Sequence, residues 1–352
     1  MRRLPAIAVA SAALLLAGCG GGGGGFSFSG GSSTGSTARG SVVTLPPPVV
    51  ASLSASDLTI LLIANTTGQQ LKQLAGTPVC GIDVRYLTYR TIGGQGEATT
   101  ATAAVMVPTG TNPSCNGTRP IVLYAHGTAT ARAYNIANWV NVNQPAAAEG
   151  SLVAAFFAAQ GFIVVAPNYA GYDTSPLPYH PYLNGNQQGK DMADALTAAR
   201  TALPTVGVAT GGSLLVAGYS QGGYVALAAL RELQSVGTSV TAVAPMSAPS
   251  AISLLIDYSF SGWPALGATV FTPFITTSWQ NEFGNVYTAT TDIYSTQYAN
   301  GIATLLPSLS PDTLFSSGAP PQLALFPANG VPGPVNPSLS IFYGSGNLVT
   351  QA

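Results

Sequence analysis

Residues 121–125, 162–166, 214–217 and 240–244 are short, uninterrupted apolar runs, and stretches of helical period at 149–160, 187–203 and 221–234 separate them. A strand covered on both faces reads as a continuous apolar run, whereas a half-exposed strand alternates. Such strands interleaved with helices imply the α/β class, with a mainly parallel sheet wrapped by helices on both faces. Upstream, residues 83–89 and 99–107 read as an antiparallel hairpin closed through Gly93-Gly94-Gln95-Gly96.

In open sheets of this kind the ligand crevice lies beyond the carboxyl ends of the strands. Three loops follow such ends: His126-Gly127-Thr128, residues 168–173, and Gly218-Tyr219-Ser220-Gln221-Gly222-Gly223. In a chain with 41 glycines, Gly-x-Ser-x-Gly alone carries little weight. Its context carries more, because an apolar run precedes it and a helical stretch follows, the setting of a strand-turn-helix that holds a serine exposed on a strained bend. Ser220 is thus the candidate nucleophile. The N–H of Gln221, at the start of the helix, is one candidate oxyanion donor. The second belongs to the loop after residue 125, where Gly127 permits close approach and Thr128 supplies the N–H. His126 reads as a brace for that loop.

The N-terminus bears on the compartment. Arg2 and Arg3, the apolar residues 6–17 and Leu16-Ala17-Gly18-Cys19 have the layout of an export signal, too short to span a bilayer. The stretch (1–19) resembles a bacterial lipoprotein signal, which implies lipidation at Cys19, a membrane contact through that anchor, and residence at the outer membrane. Residues 20–52 are rich in Gly, Ser and Thr and close on Pro46-Pro47-Pro48, the composition of a disordered tether. Residues 53–352 suffice for one α/β domain. With 7% charged residues, 47% hydrophobic residues and a net charge of −1, the chain offers no electrostatic footprint for nucleic acid and fits uncharged or apolar substrates, lipids among them. No organic cofactor or metal is indicated. Once Cys19 is assigned to lipid, Cys80 and Cys115 remain as a pair in an oxidising compartment, which favours a disulfide.

Cys80, Tyr86-Leu87-Thr88-Tyr89, Val107-Pro108, Cys115, Leu123-Tyr124-Ala125-His126-Gly127-Thr128, Ala166-Pro167-Asn168-Tyr169-Ala170-Gly171-Tyr172, His180-Pro181-Tyr182-Leu183 and the Ser220 motif together resemble the α/β-hydrolases of the secretory lipase type, over about residues 77–246. The resemblance implies an α/β-hydrolase fold and a carboxylic ester hydrolase that works through a Ser-His-Asp triad and an acyl-enzyme. Two features depart from it. Residues 339–349 resemble the strand and loop that present the triad aspartate, but Asn347 stands at that place. Both histidines, His126 and His180, precede Ser220, which leaves His180 as a possible base or a pocket wall. Asp257, Asp292 and Asp312 read as cap or solvated-turn residues. Either the chain is shortened near Val349 or it has abandoned catalysis, and loss of a triad base lowers kcat about a million-fold. Residues 247–337 have the length of an inserted cap, whose aromatics either fill a core or, where they face the crevice, favour acyl or aryl esters. The rival readings are a catalytically inactive lipid-anchored binding or structural lipoprotein on the same fold, and an exopeptidase.

Overall fold

The computed structural model describes residues 38–350. The expected signal peptide, Cys19 and residues 20–37 of the tether lie outside the described residues. Strands β1 (Val49–Leu53), β2 (Gly81–Ile92), β3 (Ala98–Thr109), β4 (Arg119–Ala125), β5 (Ile163–Pro167), β6 (Thr210–Tyr219) and β7 (Ala242–Met246) form one sheet in the order β1-β2-β3-β5-β4-β6-β7. Pairing is antiparallel from β1 through β3 to β5, and parallel from β5 through β4 and β6 to β7. The long β2–β3 hairpin is joined through residues 93–97, and β7 lies two residues later than its apolar run indicates.

Helices fall on both faces for a reason of handedness. The crossover from β4 through α3 (Ala147–Phe156) to β5 runs one way along the sheet. The crossovers from β5 through α4 (Gly185–Ala202) to β6, and from β6 through α5 (Gln221–Ser235) to β7, run the other way. Right-handed crossovers therefore set α3 on one face and α4 and α5 on the other. The chain leaves β4 and β6 in opposite senses, so a crevice opens between their carboxyl ends. Ile121, Val122 and Leu123 of β4 and all five residues of β5 are buried, and they anchor the main core beneath that crevice. Helices α1 (Ala55–Ile63) and α2 (Thr66–Ala75) precede β2. The Ser54 hydroxyl and the Asp57 carboxylate close a capping box at the start of α1.

The folded region begins earlier than composition indicates. Residues 38–52 were expected within the tether, yet β1 pairs with β2 and the stretch before it follows the same edge. The Gly40 and Val43 amides donate to the carbonyls of Arg90 and Thr88, and Arg85 donates to the Pro47 carbonyl. Arg39 sits 3.0 Å from the carboxylate of Asp194, which is buried on α4. A backbone ladder needs no apolar side chains, and an edge position tolerates proline, so a composition that cannot build a core can still dock. Cys80 and Cys115 form a disulfide with a Cα–Cα distance of 5.5 Å, which ties the entry of β2 to the β3–β4 connection.

After β7, residues 247–350 contain α6 (Ile252–Phe260), α7 (Ala268–Phe283) and shorter helical turns, packed into two further apolar clusters. No strand among the described residues pairs with the outer edge of β7, and the strand alternates between exposed and half-buried residues. No helix among the described residues is long and apolar enough to cross a membrane.

Candidate active site

Ser220 stands between β6 and α5 with φ 56° and ψ −121°, a conformation that L-residues rarely adopt and that costs about 1–3 kcal/mol. Three glycines make the bend possible. A Cβ on Gly218 would come within 2.1 Å of the Gly222 carbonyl oxygen, one on Gly222 within 2.0 Å of that of Ala125, and one on Gly223 within 2.5 Å of that of Met246. The turn is thereby pressed against the ends of β4 and β7, and the Ser220 amide donates to the Met246 carbonyl at 2.9 Å. Ser220 is half-buried, and its hydroxyl bonds to no described residue. Gln221 is the first residue of α5, where an N–H has no partner within the helix.

The loop after β4 is fixed one peptide at a time. Glu149, on α3, accepts the Gly127 N–H at 3.0 Å and the Tyr124 hydroxyl at 2.8 Å on one carboxylate oxygen, and the Tyr134 hydroxyl at 2.9 Å on the other. His126 Nδ1 donates to the Gly127 carbonyl at 2.7 Å. Because a trans peptide sets C=O and N–H on opposite sides, pinning that carbonyl on the imidazole turns the Thr128 N–H the other way. Thr128 N–H bonds to no group among the described residues, and its hydroxyl meets the Tyr182 hydroxyl at 2.7 Å. Of the two residues in the expected oxyanion loop, Gly127 has its own N–H committed to Glu149, which leaves the Thr128 N–H as the donor that can face the crevice. His126 is fully buried and stacks between Tyr134 and Tyr169 at centroid distances of 4.2 and 4.0 Å, and burial holds its pKa below the ordinary value. The loop 168–173 supports the same turn, with the Tyr169 hydroxyl on the His126 carbonyl and the Tyr172 hydroxyl on that of Ala129.

His180 does not serve as a base for Ser220. The ring is buried, Nδ1 donates to the Ala170 carbonyl at 2.9 Å, and Nε2 accepts from the side-chain amides of Gln221 at 2.7 Å and Gln188 at 3.3 Å. Burial pushes its pKa down to about 3, so the ring is neutral and both nitrogens are occupied. Its role is instead to hold the side chain of the residue after Ser220. Asn347 is displaced from the acid position as well. Residues 337–342 form a 3-10 turn and add no strand beside β7. The Asn347 amide donates to the Val349 carbonyl, and its own carbonyl accepts from Ser295, beside a separate cluster around Tyr294 and Leu348. Pro337 and the glycines at 344 and 346 favour turns here, which the apolar content of 339–343 conceals. Asp292 accepts the Thr288 and Ala289 amides, and Asp257 and Asp312 are exposed. No group of three or more metal-ligating side chains converges among the described residues.

Glu149 is the residue that sequence reasoning passed over. Its signal was available, since it is a lone carboxylate in an otherwise apolar helix, in a chain with only 12 acidic residues.

A mixed seven-stranded sheet that presents a serine elbow at its switch point, backed by the loop after β4, defines an α/β-hydrolase of the esterase/lipase type. The prolyl oligopeptidase family model matches residues 149–265, a span that includes the elbow. The chain is similar to the rice cell wall degrading esterase LipA from Xanthomonas oryzae, with 27% identity and a TM-score of 0.70 over 81% of this chain and 71% of that one. It also shares its fold with a putative hydrolase from Legionella pneumophila, at 21% identity and a TM-score of 0.66 over 86% and 75% of the two chains. No curated protein matches the chain.

Proposed function

We propose that the protein is a carboxylic ester hydrolase that uses Ser220 as its nucleophile. The reading is carried by the strained elbow at the β4–β6 crevice, with the unbonded amides of Gln221 and Thr128 on the two loops that border it. In the acylation step Ser220 Oγ bonds to the ester carbonyl carbon while the carbonyl oxygen takes up negative charge, which the two N–H groups stabilise. Collapse of the adduct expels the alcohol and leaves an acyl-serine. The Ser220 proton has no imidazole acceptor among the described residues, because both histidines are buried and committed elsewhere. Activity is therefore weak in this chain, with solvent or a supplied base taking the proton.

A fluorophosphonate should label the full chain slowly and only where Ser220 is intact, and 0.1–0.5 M imidazole should accelerate hydrolysis of a nitrophenyl ester by about tenfold or more, since general-base assistance contributes about 10²–10⁴ when positioned. Labelling that survives Ser220→Ala would sink the proposal. The match to the prolyl oligopeptidase family supports a second reading, cleavage of aminoacyl amides at the same serine, and turnover of such amides without turnover of simple esters would select it. We further propose export and lipid anchoring at Cys19, which the Cys80–Cys115 disulfide favours because such bonds persist in oxidising compartments. Incorporation of labelled palmitate that is lost in Cys19→Ser tests the anchor.

A further inference from the structure

A cavity of about 330 Å³ lies behind α7. Its walls include Leu255, Ile256 and Phe260 of α6 and Ala268, Ile275 and Trp279 of α7. At 3.6 residues per turn, positions 268, 272, 275, 276 and 279 form one face of α7, while Val270 and Phe274 point the other way into the cluster that holds Tyr182. Ile275 and Trp279 also pack in that cluster, so it shares a wall with the cavity, but none of the candidate site residues lines the cavity.

The polar side chains of the lining are almost all committed. Ser259 donates to the Leu255 carbonyl, Thr276 bonds to the Thr272 carbonyl and the Tyr294 hydroxyl, and Thr350 donates to the Ile293 carbonyl. The Trp279 indole N–H donates to the Tyr182 carbonyl at 3.2 Å. Only the Thr272 hydroxyl is uncommitted among the lining side chains, so the walls offer a polar ligand a single hydroxyl and are otherwise suited to an apolar one. Asp292 lies exposed at the rim, where its carboxylate disfavours an anionic group. Helix α6 supplies a second observation. None of its nine residues is buried, although most are apolar; Ile252 and Phe260 at its ends pack against the neighbouring clusters, while Leu255, Ile256 and Ser259 between them face this space.

We propose that the cavity binds one unbranched aliphatic chain with a neutral head left in solvent beside Asp292. At roughly 30 Å³ per carbon, close to the volume one water takes in the liquid, it holds a chain of about ten carbons. This site is distinct from Ser220 and does not depend on hydrolysis.

Titration of 1-alkanols from hexanol to tetradecanol into the full chain and into Ser220→Ala, followed by calorimetry and tryptophan fluorescence, tests it. Affinity should rise about fourfold per methylene and level off near decanol, equally in both proteins. Ala268→Trp, which fills the cavity, should abolish binding, and Ser259→Phe from the facing helix should do the same if the first variant does not fold. Decanoate should bind more weakly than decanol. The absence of saturable binding, or binding that the folded filling variants leave intact, overturns the proposal, whatever the fluorophosphonate reports about Ser220.

Discussion

Replacing Glu149 by alanine separates a structural brace from a group that shapes the anion site. The carboxylate accepts three hydrogen bonds, from Gly127 N–H and the hydroxyls of Tyr124 and Tyr134, and Tyr134 is 3% exposed, so its hydroxyl finds no ready substitute in water. Bonds to a charged acceptor contribute about 1.5–3 kcal/mol each, but three that share one carboxylate do not add, so a loss of about 4 kcal/mol is expected. For a domain of this size that corresponds to a fall in Tm of roughly 6 °C. Freed of Glu149, the His126–Gly127 peptide can rotate, which shifts Gly127 relative to the imidazole that holds its carbonyl and carries the Thr128 N–H out of line. Loss of one oxyanion donor costs about 10²–10³ in rate, so the second-order rate of fluorophosphonate labelling at Ser220 should drop about 100-fold. Glu149→Gln retains an oxygen for Gly127 and should lose only about 1–2 kcal/mol, with labelling within about fivefold of the parent. The reasoning fails if Glu149→Ala lowers Tm as expected and leaves the labelling rate unchanged, since the Thr128 amide would then play no part in holding the oxyanion.

Ser220→Gly should raise Tm while abolishing labelling, because removing the Cβ relieves the strain of φ 56° by a net of about 1 kcal/mol after glycine's greater chain entropy is counted. Ser220→Ala keeps the strain and should show no such gain. Substituting both Cys80 and Cys115 by serine should cost about 4 kcal/mol by the loop-closure estimate for their separation of 35 residues, read from chemical denaturation. For pH, the folded-state pKa of His180 is about 3 against about 6.5 for a free imidazole. The unfolded chain therefore takes up the proton first, and the contribution of His180 is present above about pH 6.5 and lost as pH falls toward 3. Asp191, raised to about 6 by burial, acts in the opposite sense, favouring the fold at low pH and losing that contribution as pH rises through 6. His180→Gln should accordingly be less stable at pH 7 yet lose stability more gently between pH 6.5 and 4, and an unchanged acid slope would show that the buried ring is not what sets it.

The parallel half of the sheet was legible because β4, β5 and β6 are buried on both faces and leave uninterrupted apolar runs. The elbow was legible because glycine is the only residue that three close backbone approaches allow. What escaped were features that composition does not encode. Residues 38–52 dock through backbone pairing and one ion pair, and neither leaves a hydrophobic pattern. The commitment of the Gly127 N–H depends on where a carboxylate 22 residues away comes to rest. His180 looked available because its loop opens toward the crevice, yet two glutamine amides reach it from α4 and α5. Asn347 was placed by likeness of a short apolar segment to a strand, and such a segment pairs only if its turns permit it.

The outer margin of β7 has a bearing on how the molecule behaves at high concentration. Carbonyls and amides along that strand face solvent with no neighbouring strand among the described residues, and such a margin is a template on which another chain can zip. Pro245 removes one donor and the strand is only five residues long, two devices that blunt self-templating without eliminating it. Mild denaturation should thus bring on intermolecular sheet growth at this margin before the core of β4, β5 and β6 gives way.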